Sequence, residues 1–393
     1  MSEEAIGTPA RLSVDEIITT SRSETGLSDL GEEDMFEGLR VQVNALLREA
    51  RLHANGIEGM RASLIGFLSN RLRIEDTFRR HPEILNEEIR GPVFIIGLPR
   101  SGTTKLQRMT AASPDLQKLP YWKILNPVPL GPVTEQAPDT RISDAEQISS
   151  MMRDVIPDFF AGHPMKPLEP DEEVFMADLV MRGWNPSYVA HIPSFDAWLG
   201  KQDFSTWYVF LRKLLQLFQW QDGSPGTAWL LKTPEHMPHM DQLFRVFPNA
   251  TVVHCHRDPA VSMASLAELT VSIRRMYSSH EDRHRVGRFT LDHWSNNMAT
   301  YLHQRDELAA RHSFLDISYI QIASDAMAQI ERMHEVAGVP LRDEARAAML
   351  NWEGANPPGK HGEFRYQLQS VGLDEASVHA AFAVYMKRFG DLL

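Results

Sequence analysis

Residues 93–104 read VFIIGLPRSGTT, an apolar run followed at once by a loop of glycines, an arginine and hydroxyl side chains. A short unbroken apolar run is typical of a strand buried on both faces. Leu106 and Met109, just after the loop, have helical spacing. A glycine-rich loop between a strand and a helix can bind an anion, because its N–H groups and the helix N-terminus face one point. The sequence therefore predicts a phosphate site at residues 97–104.

Three further apolar runs, at residues 228–231, 251–255 and 314–317, predict more strands, and helical patterns separate them. Alternating strands and helices indicate a parallel α/β sheet. More than a hundred residues lie between the first two runs, which is too long for a simple crossover. We expect residues 105–227 to form a mostly helical cap over the carboxyl edge of the sheet, where open sheets bind ligands.

The predicted fold class is thus a P-loop-like parallel α/β sheet flanked by helices, with N-terminal helices and a large helical cap insertion. Amphipathic patterns at residues 36–46 and 60–67 predict two helices in an N-terminal segment, residues 1–90, that begins with a loose tail. Residues 91–393 form the α/β domain in this interpretation.

The amino-acid composition argues against several classes of partner and site. The 393 residues carry 52 acidic and 40 basic side chains, a net charge of −12, which argues against nucleic acid as the main partner. The single cysteine, Cys255, excludes an intrachain disulfide and a cysteine-rich zinc site, and favours a reducing, cytoplasmic location. No apolar run approaches the roughly 18 residues of a membrane span, and no metal-binding motif stands out. A homo-oligomer stays open.

The loop has the GxxxxG spacing of a Walker A motif, but Thr103 stands where that motif has its lysine. The cation is instead Arg100, inside the loop, where a guanidinium could clamp a transferring group or its bridging oxygen with two hydrogen bonds. A P-loop kinase or NTPase is therefore an alternative that Thr103 disfavours.

Residues 99–104 resemble the 5′-phosphosulfate loop of sulfotransferases that use 3′-phosphoadenosine 5′-phosphosulfate (PAPS), which reads Pro-Lys/Arg-Ser-Gly-Thr-Thr. The likeness is greatest to the bacterial and mycobacterial branch. It implies that Arg100 acts at the bridging oxygen and the sulfuryl group. It also implies four residues around the 5′-phosphate: Ser101, Gly102, Thr103 and Thr104. Lys105 stands where many cytosolic members carry a tryptophan against the adenine.

A second anion site follows the third predicted strand, where residues 256–265 read HRDPAVSMAS. Arg257 ends the strand, and Ser265 lies about two helical turns further on. The resemblance assigns the 3′-phosphate to this pair and leaves Ser262 on the helix surface. Two phosphate sites favour PAPS, with adenosine 3′,5′-bisphosphate as the product, over ATP.

The resemblance implies further contacts to the donor. Tyr319, after the fourth predicted strand, corresponds to a tyrosine that contacts the adenine. Lys360 and Arg365 lie in a basic, turn-rich stretch near the C-terminus, where related enzymes contact the 3′-phosphate.

Residues 231–236 read LKTPEH and follow the second predicted strand. Lys232 could reach the sulfuryl group or the leaving oxygen, and His236 could take the acceptor proton near neutral pH. The segment resembles the Lys-Ser/Thr-Pro-x-His version of the bacterial members. Glu235 is a rival base, because other branches of the family use a carboxylate.

The predicted cap contains an acidic cluster after His163: Glu169, Asp171, Glu172 and Glu173. These residues could orient an acceptor, but we favour the interpretation that the cluster is the solvated start of a helix after Pro170, since carboxylates favour helix N-termini. Apolar side chains of the same region could line an acceptor pocket: Trp122, Phe159, Phe160, Met165 and Phe175. The predicted function is sulfuryl transfer from PAPS to a hydroxyl of a small-molecule or lipid acceptor by in-line displacement. A non-catalytic nucleotide-binding protein is a further alternative.

Overall fold

A computed structural model describes residues 12–31, 35–357 and 366–393. The predicted donor contacts Lys360 and Arg365 lie outside these residues. The described chain contains a five-stranded parallel sheet in the order β2-β3-β1-β4-β5. Its strands are β1 (Val93–Gly97), β2 (Gln117–Lys118), β3 (Trp229–Lys232), β4 (Thr251–His256) and β5 (Ser313–Ser318). Helices flank the sheet, which confirms the predicted P-loop-like α/β class.

The described N-terminal part consists of α1 (Val14–Thr25), α2 (Met35–Arg48), α3 (Ala54–Arg80) and a 3-10 segment, Pro82–Asn86. The sequence predicted α2 and α3 but not α1. In α1 only Ile17 and Ser21 are buried, and the Ser21 hydroxyl donates to the Ile65 carbonyl on α3. Because one of these two buried residues is polar, α1 has no repeating apolar pattern by which the sequence could predict it.

The stretch between β1 and β3 is largely helical, as predicted. Its elements, besides β2, are α4 (Thr103–Thr110), α5 (Tyr121–Leu125), α6 (Arg141–Val155), α7 (Pro157–Gly162), a 3-10 segment (Glu173–Val180), α8 (Asn185–Val189), α9 (Pro193–Leu199) and α10 (Ser205–Gln221). The sequence missed β2, whose two residues pair with Trp229 and Leu230 of β3 at the edge of the sheet. Two residues are too few to form an apolar run.

The remaining elements follow β3 and separate the last strands. They are a 3-10 segment (Pro234–His239), α11 (Met240–Val246), α12 (Pro259–Arg274), α13 (Arg283–Leu308), α14 (Tyr319–Ser324), α15 (Ala326–Ala337), α16 (Asp343–Ala355), a 3-10 segment (Leu368–Val371), α17 (Glu375–Ala381), α18 (Ala383–Phe389) and a final 3-10 turn (Gly390–Leu392). None of the helices in the described ranges is long and apolar enough to cross a membrane.

Strand β1 lies at the centre of the sheet, and all five of its residues are buried. Phe94 and Ile96 pack in a core shared with the N-terminal helices, α10 and α13. Val93 and Ile95 point to the other face, into a core shared with α4 and α15. The alternation is that of a strand with helices on both faces. It fixes the loop after β1 at the carboxyl edge of the sheet.

Candidate functional site

The loop after β1 has an unusual backbone. Gly97, Arg100 and Gly102 all have positive φ, at 146°, 72° and 90°. A Cβ on Gly97 would lie 2.4 Å from the Cys255 carbonyl oxygen, so only glycine fits there. Arg100 holds a conformation that is uncommon for a residue with a side chain, and such strain clusters at functional sites. Alternating backbone conformations of this kind turn successive N–H groups toward one anion.

The loop also offers polar groups without protein partners. Helix α4 begins at Thr103, with Gly102 as its N-cap and no side-chain cap. The first N–H groups of a helix have no intrahelical acceptor. The Ser101 hydroxyl is fully buried and makes no hydrogen bond within the described residues. The Ser101 hydroxyl and the first N–H groups of α4 are thus groups that can bind an anion.

Arg257 and Tyr319, predicted separately from the loop, lie against it. One Arg257 nitrogen donates to the Arg100 carbonyl at 2.7 Å, and the guanidinium lies 3.7 Å from the centroid of the Tyr319 ring. A Cβ on Gly102 would lie 3.1 Å from the Tyr319 ring. The fold thus joins the carboxyl ends of β1, β4 and β5 in one cluster of two arginines and an aromatic ring.

Ser265 lies inside α12, which Asp258 caps by accepting from the Ala260 N–H. Its side chain is fully buried, and its hydroxyl has no partner in the part of the chain that the structure describes. The same holds for Ser262. The prediction that Ser262 lies on the helix surface is therefore wrong. Helix α12 packs against α7, α8, α13 and α17, and its side chains are buried or half-buried.

Lys105 has partners on the far side of α4. Its ammonium group lies 2.7 Å from a Glu353 carboxylate oxygen and donates to the Ile322 carbonyl at 3.3 Å. The lysine is thereby tied to α14 and α16. Lys105 has no aromatic ring, so this position offers no stacking contact to an adenine.

Lys232, at the end of β3, is almost fully buried and faces the acidic segment. Its ammonium group lies 2.5 Å from Glu172, which also accepts from the Thr233 hydroxyl at 3.1 Å. The Lys232 N–H donates to Glu173 at 2.9 Å. Two adjacent carboxylates therefore hold Lys232, one at its ammonium group and one at its backbone N–H.

His236 lies behind this pair. Its Nε2 donates to Glu173 at 2.7 Å, and its Nδ1 accepts from the Tyr208 hydroxyl at 2.9 Å. The side chain is buried, and the Phe94 ring packs edge-on against it. An acceptor hydroxyl would have to displace one of these partners before His236 could take its proton.

Glu235 lies in the wall of a cavity that opens beside Arg100. One of its carboxylate oxygens accepts from the Tyr188 hydroxyl at 2.9 Å. The other is sealed from solvent, makes no hydrogen bond with the described residues, and lies 3.4 Å from His293 Nε2. Burial, with the Glu235 carboxylate adding to it, holds the pKa of Tyr188 well above its usual range.

The acidic segment is not solvated, so our interpretation of it as an exposed helix start is wrong. Asp171 is 2% exposed and Glu173 fully buried. His163 Nε2 donates to Asp171 at 3.0 Å. Burial raises the pKa of Asp171, but His163, Lys232 and Arg108 outweigh it and hold that pKa well below its usual range. The cations that make burial of the carboxylates tolerable come from other elements of the fold.

A cavity of about 420 Å³ opens beside Arg100 and is lined mainly by apolar side chains. Three predicted pocket residues line it: Phe159, Met165 and Phe175. Two do not, because other residues of the cap cover their rings. The Arg141 guanidinium lies 4.7 Å from the Trp122 ring, and that of Arg153 lies 5.2 Å from the Phe160 ring. The cavity lining also includes His163, Glu172 and Glu235.

The ligand atoms of His254, His256 and Asp316 lie within 4.8 Å of one another, a group that no sequence motif indicated. Arg305 donates to Asp316 at 2.7 Å, and His256 bonds the other oxygen at 2.8 Å. His254 bonds the Tyr301 hydroxyl at 3.0 Å. A guanidinium on the carboxylate opposes a further cation, so we assign this group a structural role.

Comparison with known proteins agrees with the geometry. Residues 92–343 match the model of a family described as the sulfotransferase family. Sulfotransferase STF1 from Mycobacterium tuberculosis H37Rv is 28% identical, with a TM-score of 0.77 over 95% of this chain and 98% of the other. Sulfotransferase STF9 from Mycobacterium avium shares the fold at 24% identity, with a TM-score of 0.83 over 99% and 98% of the two chains. No curated protein matches the sequence.

Proposed function

The chain belongs to the sulfotransferase family, and we propose that it transfers a sulfuryl group from PAPS to a hydroxyl of an apolar small-molecule or lipid acceptor. The observation that carries this proposal is the loop after β1, where Arg100 and Gly102 have positive φ and the Arg257 guanidinium bonds the Arg100 carbonyl and stacks on Tyr319. Each predicted phosphate site also contains a buried serine, Ser101 or Ser265, whose hydroxyl has no hydrogen-bond partner in the described ranges. A ligand could complete either hydroxyl.

We assign the 5′-phosphate end of the donor to the loop after β1. The N–H groups at the start of α4 and the hydroxyls around them would hold its oxygens: Ser101, Thr103 and Thr104. Arg257 and Ser265 would hold the 3′-phosphate, and Tyr319 would contact the adenine. The stacking of the Arg257 guanidinium on Tyr319 supports this arrangement, because one base could lie beside that ring while its ribose reaches both anion sites.

Arg100 and Lys232 are the cations that we place at the reacting group. As the bond between sulfur and the bridging oxygen breaks, negative charge develops on that oxygen, and preorganised donors lower the barrier. Arg100 is held by its bond to the Gly162 carbonyl, and Lys232 by Glu172. Two cations suit the modest charge of a sulfuryl group, so the proposal includes no metal.

The apolar lining of the cavity supports an acceptor with an apolar body. We assign Glu235 and Tyr188 to orienting it, because both line the cavity and bond each other. His236 holds Glu173, which in turn holds the backbone of Lys232. We also propose a reducing, cytoplasmic location, in keeping with one buried cysteine, Cys255.

The test is incubation of the purified protein with ³⁵S-labelled PAPS and a small-molecule and lipid extract, followed by mass spectrometry of the labelled products. We expect labelled sulfate esters of apolar alcohols or phenols, and none with Arg100→Ala. Binding of adenosine 3′,5′-bisphosphate without any ester would favour a non-catalytic protein. Magnesium-dependent ATP turnover would favour a P-loop kinase or NTPase.

A further inference from the structure

We propose that His163 takes the proton from the acceptor hydroxyl and that Asp171 is its positioning residue. This inference rests on the proposed sulfuryl transfer. It assigns the base to the cap rather than to the segment after β3, where the sequence placed it.

His163 is suitably placed for this role. It lines the cavity, and its side chain is 21% exposed. Because an ionised carboxylate only accepts, the proton on the ring must be on Nε2, which bonds Asp171. In the neutral form of the ring, Nδ1 then carries a lone pair, and Nδ1 has no hydrogen-bond partner among the residues that the structure describes. The rings of Phe159 and Phe175 lie 6.0 and 5.9 Å from the imidazole and give it an apolar surround.

The phosphate loop and its helix fix the segment that carries His163. Arg100 donates to the Gly162 carbonyl at 2.5 Å, and Arg108 donates to the Pro164 carbonyl at 2.7 Å. Gln107 donates to the Asp171 carbonyl at 3.3 Å. The imidazole is therefore flanked on both sides by backbone groups that bond to the sulfuryl-binding loop and α4. A base must be held in register with the reacting atom, and these bonds provide that register.

Three other candidate bases in or near the cavity have their reactive atoms engaged or sealed: Glu172, Glu235 and His236. Both oxygens of Glu172 bond to β3 and the residue after it, one to Lys232 and one to Thr233. Glu235 has one oxygen on Tyr188 and the other sealed from solvent. Both nitrogens of His236 are bonded, as described above. His163 thus offers an unengaged basic atom toward the cavity.

The step balances as follows. The acceptor oxygen forms its bond to sulfur while its proton passes to Nδ1 of His163. The bond between sulfur and the bridging oxygen breaks, and its electron pair leaves with adenosine 3′,5′-bisphosphate, beside Arg100 and Lys232. The imidazolium that forms is stabilised by the Asp171 carboxylate, in the way that a buried aspartate supports the histidine of a catalytic triad.

The test compares two acceptors of different acidity, dodecan-1-ol and 4-nitrophenol, with labelled PAPS. An alkanol keeps its proton until transfer, whereas 4-nitrophenol is largely ionised in a mildly alkaline assay buffer and needs no base. We expect His163→Ala and His163→Gln to lower kcat for dodecan-1-ol by about 10²-fold or more, which is the usual contribution of a general base. The loss with 4-nitrophenol should stay within about fivefold, since its proton is already gone.

Added imidazole should restore dodecan-1-ol sulfation in His163→Ala by about tenfold or more, because it can occupy the vacated space as a free base. Asp171→Asn should show the same dependence on acceptor acidity with a smaller loss. The matched control is His81→Ala, because His81 bonds Glu83 at 3.1 Å at the surface, outside the cavity lining. This variant should keep wild-type rates with both acceptors.

His163→Gln keeps a donor for Asp171, so it guards against unfolding of His163→Ala, and thermal unfolding of both variants reports their folding. Equal losses with both acceptors and no rescue by imidazole would overturn the inference, as would a His163→Gln variant as fast as wild type with dodecan-1-ol. If the wild-type protein sulfates neither acceptor nor any compound of the extract, the proposed function itself fails.

Discussion

The glycine-rich loop, residues 97–104, and the acidic segment, residues 162–173, meet where Arg100 bonds the Gly162 carbonyl, but they reach their structures by different routes. In the loop the decisive contacts are local, such as the Ser101 N–H donating to the Leu98 carbonyl. In the segment they are distant: Glu173 bonds His236, 63 residues away. A contiguous motif can be recognised from its own residues. The burial of an acidic cluster, in contrast, depends on partners from distant parts of the chain, which the local sequence does not reveal.

The largest effect is expected where the two regions meet. Arg100→Ala should lower kcat by roughly 10²–10³-fold, as loss of one donor to a developing negative charge does. The measurement is steady-state transfer from labelled PAPS. Arg90→Ala, which removes an exposed arginine paired with Glu88, is the control and should change little. If kcat of Arg100→Ala fell by less than about threefold, Arg100 would not be the group that stabilises the developing negative charge.

His236 and Glu235, neighbours in the segment after β3, should differ in whether they support folding or acceptor binding. His236→Asn should destabilise the protein by about 1–3 kcal/mol, because it leaves one buried oxygen of Glu173 without its hydrogen-bond donor. Glu235→Gln, at the cavity wall, should stay folded and mainly raise the acceptor KM. Chemical denaturation and steady-state kinetics measure the two effects. A His236→Asn variant that is stable but inactive would instead return the base to His236.

The difference between the regions also explains what the sequence could predict. The apolar run at residues 93–96 and the glycines after it predicted β1, the loop and α4 correctly, because each depends on its own residues. Strand β2 and helix α1 were missed, since one is two residues long and the other buries almost no apolar side chain. The acidic segment looked exposed because Lys232 and His236, which bond Glu172 and Glu173, lie about 60 residues downstream.

Ser101 and Ser265 offer a sharper test of the donor side. Ser101→Ala and Ser265→Ala should each weaken binding of adenosine 3′,5′-bisphosphate by about tenfold or more, since a hydrogen bond to a charged group contributes about 1.5–3 kcal/mol. The free protein should lose no stability, because each variant removes a buried, unbonded hydroxyl. Calorimetry and thermal unfolding check both. The control is Ser262→Ala, and a loss of affinity there equal to that of Ser265→Ala would contradict the assignment.

The smallest effect contrasts two buried aspartates by pH. Burial outweighs the Asn185 bond and raises the pKa of Asp178 to about 7. The unfolded chain loses this proton first, so stability should fall as pH rises from about 4 to 7. Asp171, with its pKa lowered, should stabilise the fold above about pH 4 and lose that effect as pH falls further. When the free energy of unfolding is measured against pH, Asp178→Asn should reduce the fall in stability between about pH 4 and 7. Asp171→Asn should reduce the fall below about pH 4. Unchanged slopes would contradict these environments.

The claim on which the donor side depends is that two anion sites hold one nucleotide, and calorimetry with two ligands tests it most directly. Wild-type protein should bind adenosine 3′,5′-bisphosphate about 100-fold tighter than adenosine 5′-phosphate, the preference that two charge-assisted contacts would give. Replacing Arg257 and Ser265 together by alanine should reduce that preference to a few-fold, with 5′-phosphate binding retained. Equal affinity of the wild-type protein for the two nucleotides would contradict the account.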